Sequence, residues 1–175
     1  MSERGKRGNG MFRVSPFGTQ PLTFKAIVRR DDVSDGTFQA VGNSDERMFG
    51  PRKIIVCGFS PADQNDFRKM TAELGMNDIS VISAGAGQAS ATLGEVVDMP
   101  DGTGHGEASE LDRTVILSGL TENELGDVMM GYRRLGQPRA LWAALTESSI
   151  EWTLSALIKD LVAEREALQK KYPIQ

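Results

Sequence analysis

The residues of this 175-residue chain best suited to chemistry are a glycine-rich turn, one cysteine and one histidine. The turn, "GAGQAS", follows a short apolar run and precedes a helical pattern, the context in which glycine turns bind phosphate. Its weak candidate ligands are Gly85, Gly87 and Ser90. Ser90 stands where the dinucleotide fingerprint has its third glycine. A plain tight turn is therefore the competing prediction.

Cys57 and His105 offer a thiol and an imidazole, but the sequence gives neither a partner. Cys57 lies in an apolar run, where free cysteine packs as a small hydrophobic residue; a redox-active thiol would need exposure and a lowered pKa. His105 lies in a glycine-rich stretch, without a recognisable nucleophile–base spacing. One Cys and one His form neither an intrachain disulfide nor a zinc cluster. We therefore predict no catalytic residue, no metal ligand and no cofactor.

Two short stretches repeat one another, and each holds a further weak candidate ligand. "IIVCGFSPAD", residues 54–63, returns as "VILSGLTENE", residues 115–124, at an offset of sixty-one. In each copy a glycine ends an apolar run and a hydroxyl residue, Ser60 or Thr121, is placed to cap a helix. Backbone amides at a helix start can bind an anion. The acidic residues in both first turns favour simple capping instead.

These candidates must be positioned by strands and helices that also occur twice, in residues 53–98 and 113–172. The four predicted strands are residues 53–59, 78–83, 113–120 and 139–145. A helix follows each first strand and ends at a glycine, Gly75 or Gly136. The last and longest helix is predicted to open at a capping box, Ser148 to Glu151, to carry Ile150 and Trp152, and to continue to about residue 172.

The alternation of strand and helix predicts an α/β domain over residues 52–172. We expect a small three-layer parallel sheet of about four strands, built from two βαβ-type halves with right-handed crossovers. If a pseudo-twofold relates the halves, their first strands lie side by side and the strand order is 2-1-3-4. Ligands of open α/β sheets bind at such a switch point, which would lie beside the two repeated turns.

The first thirty residues have a different composition from the rest of the chain. They hold seven basic residues and one acidic residue, whereas the other 145 hold thirteen basic and twenty-three acidic residues. This basic head, residues 1–30, is typical of an organelle transit segment; a plain disordered tail and a nucleic-acid-binding arm are the alternatives. Residues 31–51 are a predicted linker. No apolar run approaches the roughly 18–20 residues of a membrane helix.

The C-terminal stretch "GYRRLGQPRALWAALTESSIEWTLSALIKDLVAEREAL" resembles a known family. The resemblance covers about residues 113–168, with residue 53 as the alternative start. The family is a domain of unknown function found in bacteria and photosynthetic eukaryotes, in which a "GF" or "GL" strand end precedes this unit. It implies no established activity, so no catalytic residue is transferred. It does favour a plastid transit segment at the basic head.

We therefore expect a non-enzymatic accessory protein that docks onto a larger protein assembly. The chloroplast stroma is the expected location, with the cytoplasm as the alternative. Trp152, Trp142 and Arg139 are the candidate partner-binding residues, because tryptophan and arginine are enriched at interfaces. The alternatives are a core position on the last strand for Trp142 and a position covering the sheet edge for Trp152. A module that binds a nucleotide or phosphate at the switch point is the second hypothesis. Direct nucleic-acid binding through the head is the third, since the acidic body would repel phosphate.

Overall fold

The structure, a computed structural model, describes residues 45–171 in full and the backbone of two strands before them. The strands are β1 (Thr23–Ala26), β2 (Thr37–Ala40), β3 (Lys53–Cys57), β4 (Ser80–Ala84), β5 (Thr114–Ser118) and β6 (Leu141–Ala144). The helices are α1 (Pro61–Glu73), α2 (Leu93–Val97), α3 (Glu122–Leu135) and α4 (Leu154–Lys171). The strands form one sheet in the order β2-β1-β6-β5-β3-β4.

The four strands of the repeated halves form an open, mostly parallel α/β sheet whose order confirms the prediction of 2-1-3-4. β3 pairs in parallel with β4, and β5 in parallel with β6. The central pair differs from the prediction: β3 and β5 are neighbours, but they are antiparallel, with Ile54 opposite Leu117 and Val56 opposite Val115. The expectation of a parallel centre was therefore wrong.

The antiparallel centre follows from where the helices lie. The two halves extend outward from the centre in opposite directions, so right-handed crossovers on a parallel centre would place α1 and α3 on opposite faces. With an antiparallel centre the same crossovers place both helices on one face. α1 and α3 do pack against each other in one apolar layer, while α2 and α4 share the layer beneath the sheet.

A pseudo-twofold axis perpendicular to the sheet relates the halves, at the offset found in the sequence. Three pairs of residues separated by sixty-one positions meet across it: Ile55 with Ile116 in the sheet, Met70 with Gly131 between α1 and α3, and Thr92 with Thr153 beneath the sheet. Beneath the sheet the hydrogen bonds are reciprocal, because the amide of Leu93 donates to Trp152 and that of Leu154 donates to Ala91. The same offset of sixty-one therefore relates equivalent residues of the two halves in the sheet and in both helical layers.

Buried side chains on both faces of the central strands form the core. Along β3, Ile54 and Val56 face the α1–α3 layer, whereas Ile55 and Cys57 face the α2–α4 layer. Strands apolar on both faces are typical of sheets covered by helices on each side. Burial of each such side chain stabilises the fold by about 1.5–3 kcal/mol.

Local signals set the bounds of α1 and α3 as predicted. The hydroxyl of Ser60 accepts a hydrogen bond from the amide of Asp63, and Pro61 occupies the first helical position. Thr121 caps α3 in a reciprocal capping box. After each helix a glycine with positive φ, Gly75 or Gly136, reverses the chain.

The start of α4 differs from the prediction. The helix begins at Leu154, and the hydroxyl of Thr153, not of Ser148, caps it by accepting the amide of Ala156 at 3.2 Å. The carbonyl of Ile150 accepts the amide of Gly94 at 2.9 Å, tying the preceding turn to α2. A helix through this turn would have used that carbonyl for its own ladder. The predicted capping box is thus part of a turn.

β1 and β2 lie within the predicted head and linker, where no strand was predicted. β1 pairs antiparallel with β2 and parallel with β6, with Lys25 opposite Ala143 and Ala26 opposite Ala144. The other residues of the head and the linker up to residue 44 lie outside the described residues. None of the described helices is both long enough and apolar enough to cross a membrane.

Candidate functional site

The two repeated turns lie at opposite ends of the sheet. Because β3 and β5 run antiparallel, the turn that holds Ser60 and the turn that holds Thr121 leave the sheet in opposite directions. The shared switch-point crevice predicted between them is therefore not formed. Both hydroxyls act as helix caps, accepting the amides of Asp63 and Glu124 at 3.2 and 3.1 Å.

The glycines of the repeated turns are required by contact with the opposite half. Gly58 has φ +76°, and a Cβ there would lie 2.4 Å from the carbonyl oxygen of Leu111. Gly119 has φ +69°, and its Cβ would lie 2.4 Å from the carbonyl oxygen of Gly50. Both values lie in the left-handed region that favours glycine. Leu111 and Gly50 are themselves sixty-one positions apart. The glycines of the repeated "GF" and "GL" are therefore explained by the same close backbone contact at equivalent positions.

Arg52 joins the two halves at one end of the sheet. Its guanidinium donates to both carboxylate oxygens of Glu124, at 2.8 and 2.9 Å, and its Nε donates to Asp78 at 2.8 Å. These hydrogen bonds hold the pKa of Glu124 and that of Asp78 below their usual values. The same bonds raise the pKa of Arg52. Only 15% of the Arg52 side chain is exposed, so this ion pair is partly shielded from water.

Arg113 joins the halves at the other end. It forms an ion pair with Asp63 at 3.0 Å and donates to the Tyr132 hydroxyl at 2.7 Å and to Gln137 Oε1 at 2.6 Å. Its guanidinium carbon lies 3.9 Å from the centre of the Phe59 ring, a cation–π contact. Burial raises the pKa of Tyr132 and the neighbouring guanidinium opposes that rise.

The two arginine clusters are equivalent under the pseudo-twofold. Arg52 and Arg113 are sixty-one positions apart, as are their carboxylate partners Asp63 and Glu124. Each arginine therefore binds the helix start of the other half. Since all these donors have partners within the protein, the clusters hold the halves together and need no ligand to be satisfied.

The glycine turn at residues 85–90 is closed by bonds of its own. The amide of Gly85 donates to Gln88 Oε1 at 2.8 Å, and the carbonyl of Ala89 accepts the amide of Ser155 at 2.9 Å. Gly87 and Ser90 are exposed, whereas Gly85 is half-buried. The turn thus follows β4 and is hydrogen-bonded to the start of α4. Gly87 and Ser90 remain the exposed candidates for binding an anion.

Neither Cys57 nor His105 lies in a reactive arrangement. Cys57 is fully buried in the α2–α4 layer, and burial raises the pKa of its thiol to about 12. His105 is exposed in a turn, and its amide donates to the carbonyl of Gly102. Within residues 45–171, no three His, Cys, Asp or Glu side chains are grouped so as to hold a metal ion.

The three predicted partner-binding residues are separated in the structure. Trp142 lies on β6 and packs edge-on against Tyr132, with ring centres 5.4 Å apart. Trp152 lies in the turn before α4, not on the helix as predicted, and packs against the α2–α4 layer. Both tryptophans are half-buried, whereas Arg139 is exposed just before β6.

α4 extends beyond the repeated unit. Leu161 is its last buried residue, and none of residues 162–171, here termed the α4 extension, is buried. Leu168 is 41% exposed; within residues 45–171, Phe49 is the other exposed large apolar side chain, at 38%. The position equivalent to Leu161 in the first half is Pro100, which cannot continue a helix, so α2 ends at Val97. The α4 extension is thus specific to the second half.

Comparison with known proteins gives a family match for one of the two halves. Residues 113–168 match the model of a family described as a domain of unknown function (DUF3783). The resemblance predicted for these residues to a domain-of-unknown-function family is confirmed. The match begins at the arginine before β5 and ends within the α4 extension. No curated protein and no solved structure matches the chain.

Proposed function

We propose that this protein is a non-catalytic accessory protein that docks onto a larger protein assembly through the side of the sheet formed by β6 and α4. The observation that carries the proposal is where the pseudo-twofold fails. The α4 extension, with its exposed Leu168, has no counterpart in the first half, where the chain turns away at Pro100. A partner that covers this helix would remove the Leu168 side chain from water.

The residue types on this side are those found at protein interfaces. Trp142 is half-buried on β6, where it packs against the α1–α3 layer, and Arg139 is exposed three residues before it. Tryptophan and arginine are enriched among residues that dominate binding energy. Trp152 lies in the turn before α4 and is a further candidate contact, although it packs mainly against the α2–α4 layer.

A pair of matched variants tests the role of the α4 extension. Leu168→Glu and Gln169→Glu each add one negative charge to neighbouring exposed positions, but only the first removes the apolar side chain. Affinity purification of the tagged chain from native extract should recover a stoichiometric partner with wild type and Gln169→Glu. Leu168→Glu should lower recovery about tenfold, since burial of one leucine contributes about 1.5–3 kcal/mol. Recovery of the bare monomer in all three cases would refute docking.

The ligand-binding hypothesis now depends on Gly87 and Ser90, because the crevice between the two repeated turns is not formed. A thermal-shift panel of nucleotides and inorganic phosphate discriminates it from docking. Docking predicts an unchanged melting temperature, whereas stabilisation by several degrees with one compound would favour a ligand module. Nucleic-acid binding with steep salt dependence, lost on deletion of residues 1–30, would favour the third hypothesis.

For location we propose the chloroplast stroma, with the basic composition of residues 1–30 as the support. A fluorescent protein fused after residue 30 should enter plastids if these residues form a transit segment. Cytoplasmic fluorescence from this fusion would favour the alternative location.

A further inference from the structure

The two halves bind each other through equivalent faces, but the two faces differ in how well each would fit a copy of itself. β3 and β5 pair antiparallel about the pseudo-twofold, so each residue of one strand lies opposite a residue of the other. Replacing one half by a copy of the other keeps this register, because a single offset of sixty-one relates them. The positions at which the halves differ therefore decide which copy fits.

Ser118 on β5 is the first such position. Its hydroxyl is buried and has no hydrogen-bond partner among the described residues. Opposite it on β3 lies Lys53, whose ammonium donates instead to the carbonyl of Met99 at 2.8 Å. In a pair of second halves, Thr114, the equivalent of Lys53, would lie opposite Ser118.

A threonine opposite Ser118 would give the buried serine hydroxyl an acceptor. The hydroxyl of Thr114 donates to the carbonyl of Asp112 at 2.9 Å, which leaves lone pairs on its oxygen. Hydrogen bonds between opposite Thr and Ser side chains stabilise antiparallel strands, whereas a buried hydroxyl without a partner is costly. At this position a second copy of β5 therefore suits Ser118 better than β3 does.

The axis position between α1 and α3 excludes the pairing of two first halves. Met70 fills the space beside Gly131, since a Cβ at position 131 would lie 2.6 Å from the Met70 sulfur. Two first halves would bring two methionines to this one position, whereas two second halves would bring two glycines and no clash. The glycine pair lacks the packing of the methionine, so the pairing of second halves is permitted but is weaker than the native pairing.

The contacts at the ends of the sheet also suit a pair of second halves. Glu124 already accepts two hydrogen bonds from Arg52 of the other half, and Arg113 is the equivalent arginine in its own half. The carbonyl of Leu111 already packs against the strand-end glycine of the other half, whose equivalent is Gly119. The second half thus carries both members of each contact, and the charges are complementary.

We propose that the face formed by β5 and α3 is self-complementary, and that the partner it fits is a second copy of the second half. The first half, in which Met70 prevents such self-pairing, occupies this face within the chain. All five residues of β5 are buried, so a unit of this kind on its own would need a second strand to cover them. The inference is independent of docking through the α4 extension, which lies outside this face.

Substitutions at position 53 of the full chain test the hydroxyl pair. Lys53→Thr gives Ser118 the neighbour it would have in a second copy, and Lys53→Val is the matched control of the same shape without a hydroxyl. The melting temperature of the threonine variant, relative to the valine variant, should be about 2–4 °C higher with Ser118 present than in the Ser118→Ala background. That shift is the one expected for a single hydrogen bond in a chain of this size.

Two exchanged chains test the face as a whole. In the first, a copy of residues 106–158 replaces residues 45–97; in the second, a copy of residues 45–97 replaces residues 106–158. Both keep the connecting residues 98–105. The first should unfold in one cooperative urea transition with a midpoint below that of wild type, and Gly131→Met in its first copy alone should raise that midpoint. The second, with two methionines at the axis, should show no cooperative transition.

Either experiment can overturn the proposal. It fails if the threonine and valine variants differ equally in both Ser118 backgrounds. It also fails if the first exchanged chain, with or without the added methionine, lacks a cooperative transition, or if the second exchanged chain shows one. Partner capture that depends on Leu168 is measured separately, so docking stands or falls without regard to these results.

Discussion

Gly131→Ala should destabilise the native protein, although alanine is a better helix former than glycine. Gly131 lies on α3 where the pseudo-twofold axis crosses the α1–α3 layer, and it meets its own equivalent, Met70. Two large side chains cannot share an axis position, so one half has methionine and the other glycine. A Cβ at position 131 would lie 2.6 Å from the Met70 sulfur and 3.0 Å from its Cγ.

The magnitudes determine the sign of the effect. Helix propensity favours alanine by about 1 kcal/mol, whereas overpacking a buried contact costs about 1–3 kcal/mol, so the single change should cost up to about 2 kcal/mol. Met70→Ala alone should cost about 2–5 kcal/mol, because it leaves a cavity. In that background the added methyl group has space, and Gly131→Ala should stabilise by about 1 kcal/mol.

Urea unfolding of the four proteins of this cycle measures the coupling between positions 70 and 131. We expect about 1–3 kcal/mol, in the sense that each change reduces the cost of the other. An unchanged dependence of the unfolding free energy on urea concentration would show that the coupling does not arise in the unfolded state. The reasoning fails if Gly131→Ala shifts stability equally in both backgrounds, because the two helices would then not meet at this pair.

Three further predictions concern residues in the repeated halves. Arg52→Met should lower the free energy of unfolding at pH 7 by about 1–2 kcal/mol, a figure discounted for partial exposure. Because Arg52 depresses the pKa of Glu124, this stabilisation is present above the ordinary pKa of 4.5 and is lost as the pH falls below it. The stabilities of variant and wild type, measured by urea unfolding, should therefore converge in acid. Gly119→Ala should lower the free energy of unfolding by about 3 kcal/mol or more. Gly136→Ala has a similar φ but no atom near its Cβ, so it should lower it by only about 1 kcal/mol. Equal losses of thermal stability in the two variants would contradict the close contact between Gly119 and the backbone of Gly50. Cys57 should not react with a thiol reagent at pH 8 until the protein unfolds, because burial raises its pKa to about 12; rapid stoichiometric labelling of the folded chain would show a different environment.

The elements that could be predicted are those specified by local signals. Ser60 and Thr121 cap their helices and Gly136 ends one, because capping and reversal depend on only a few neighbouring residues. The strand order followed from the repeat together with the premise that the first strands of the two halves meet at the twofold. What the pattern could not decide was the direction of the central pair. Strands buried on both faces have the same apolar sequence in parallel and antiparallel arrangements.

Two features of the candidate site were missed, although the sequence contained a signal for each. The capping box from Ser148 to Glu151 satisfied the local rule, yet applying the offset of sixty-one to Thr92 identifies Thr153 as the cap. The reciprocal ion pairs were visible as Arg52 and Arg113 at the same offset. Their partners lie far away in sequence, so only the antiparallel centre reveals which carboxylate each arginine meets.

The departures from symmetry indicate more about function than the symmetry does. Features shared by both halves, such as the reciprocal arginines and the repeated glycines, are explained by the need to hold two units together. Such features would be expected whatever the protein does. Features that only the second half possesses, such as the α4 extension and the pairing of β6 with β1, have no such explanation.

A single residue difference links these features. Pro100 ends the helical region of the first half and sends the chain along the edge of β4, where its backbone is satisfied. Leu161, at the equivalent position, continues α4 outward and leaves β6 without cover from its own half. The difference between Pro100 and Leu161 therefore accompanies both the longer α4 and the pairing of β6 with β1. A partner that contacts both the α4 extension and β6 would use the two features by which the second half differs from the first.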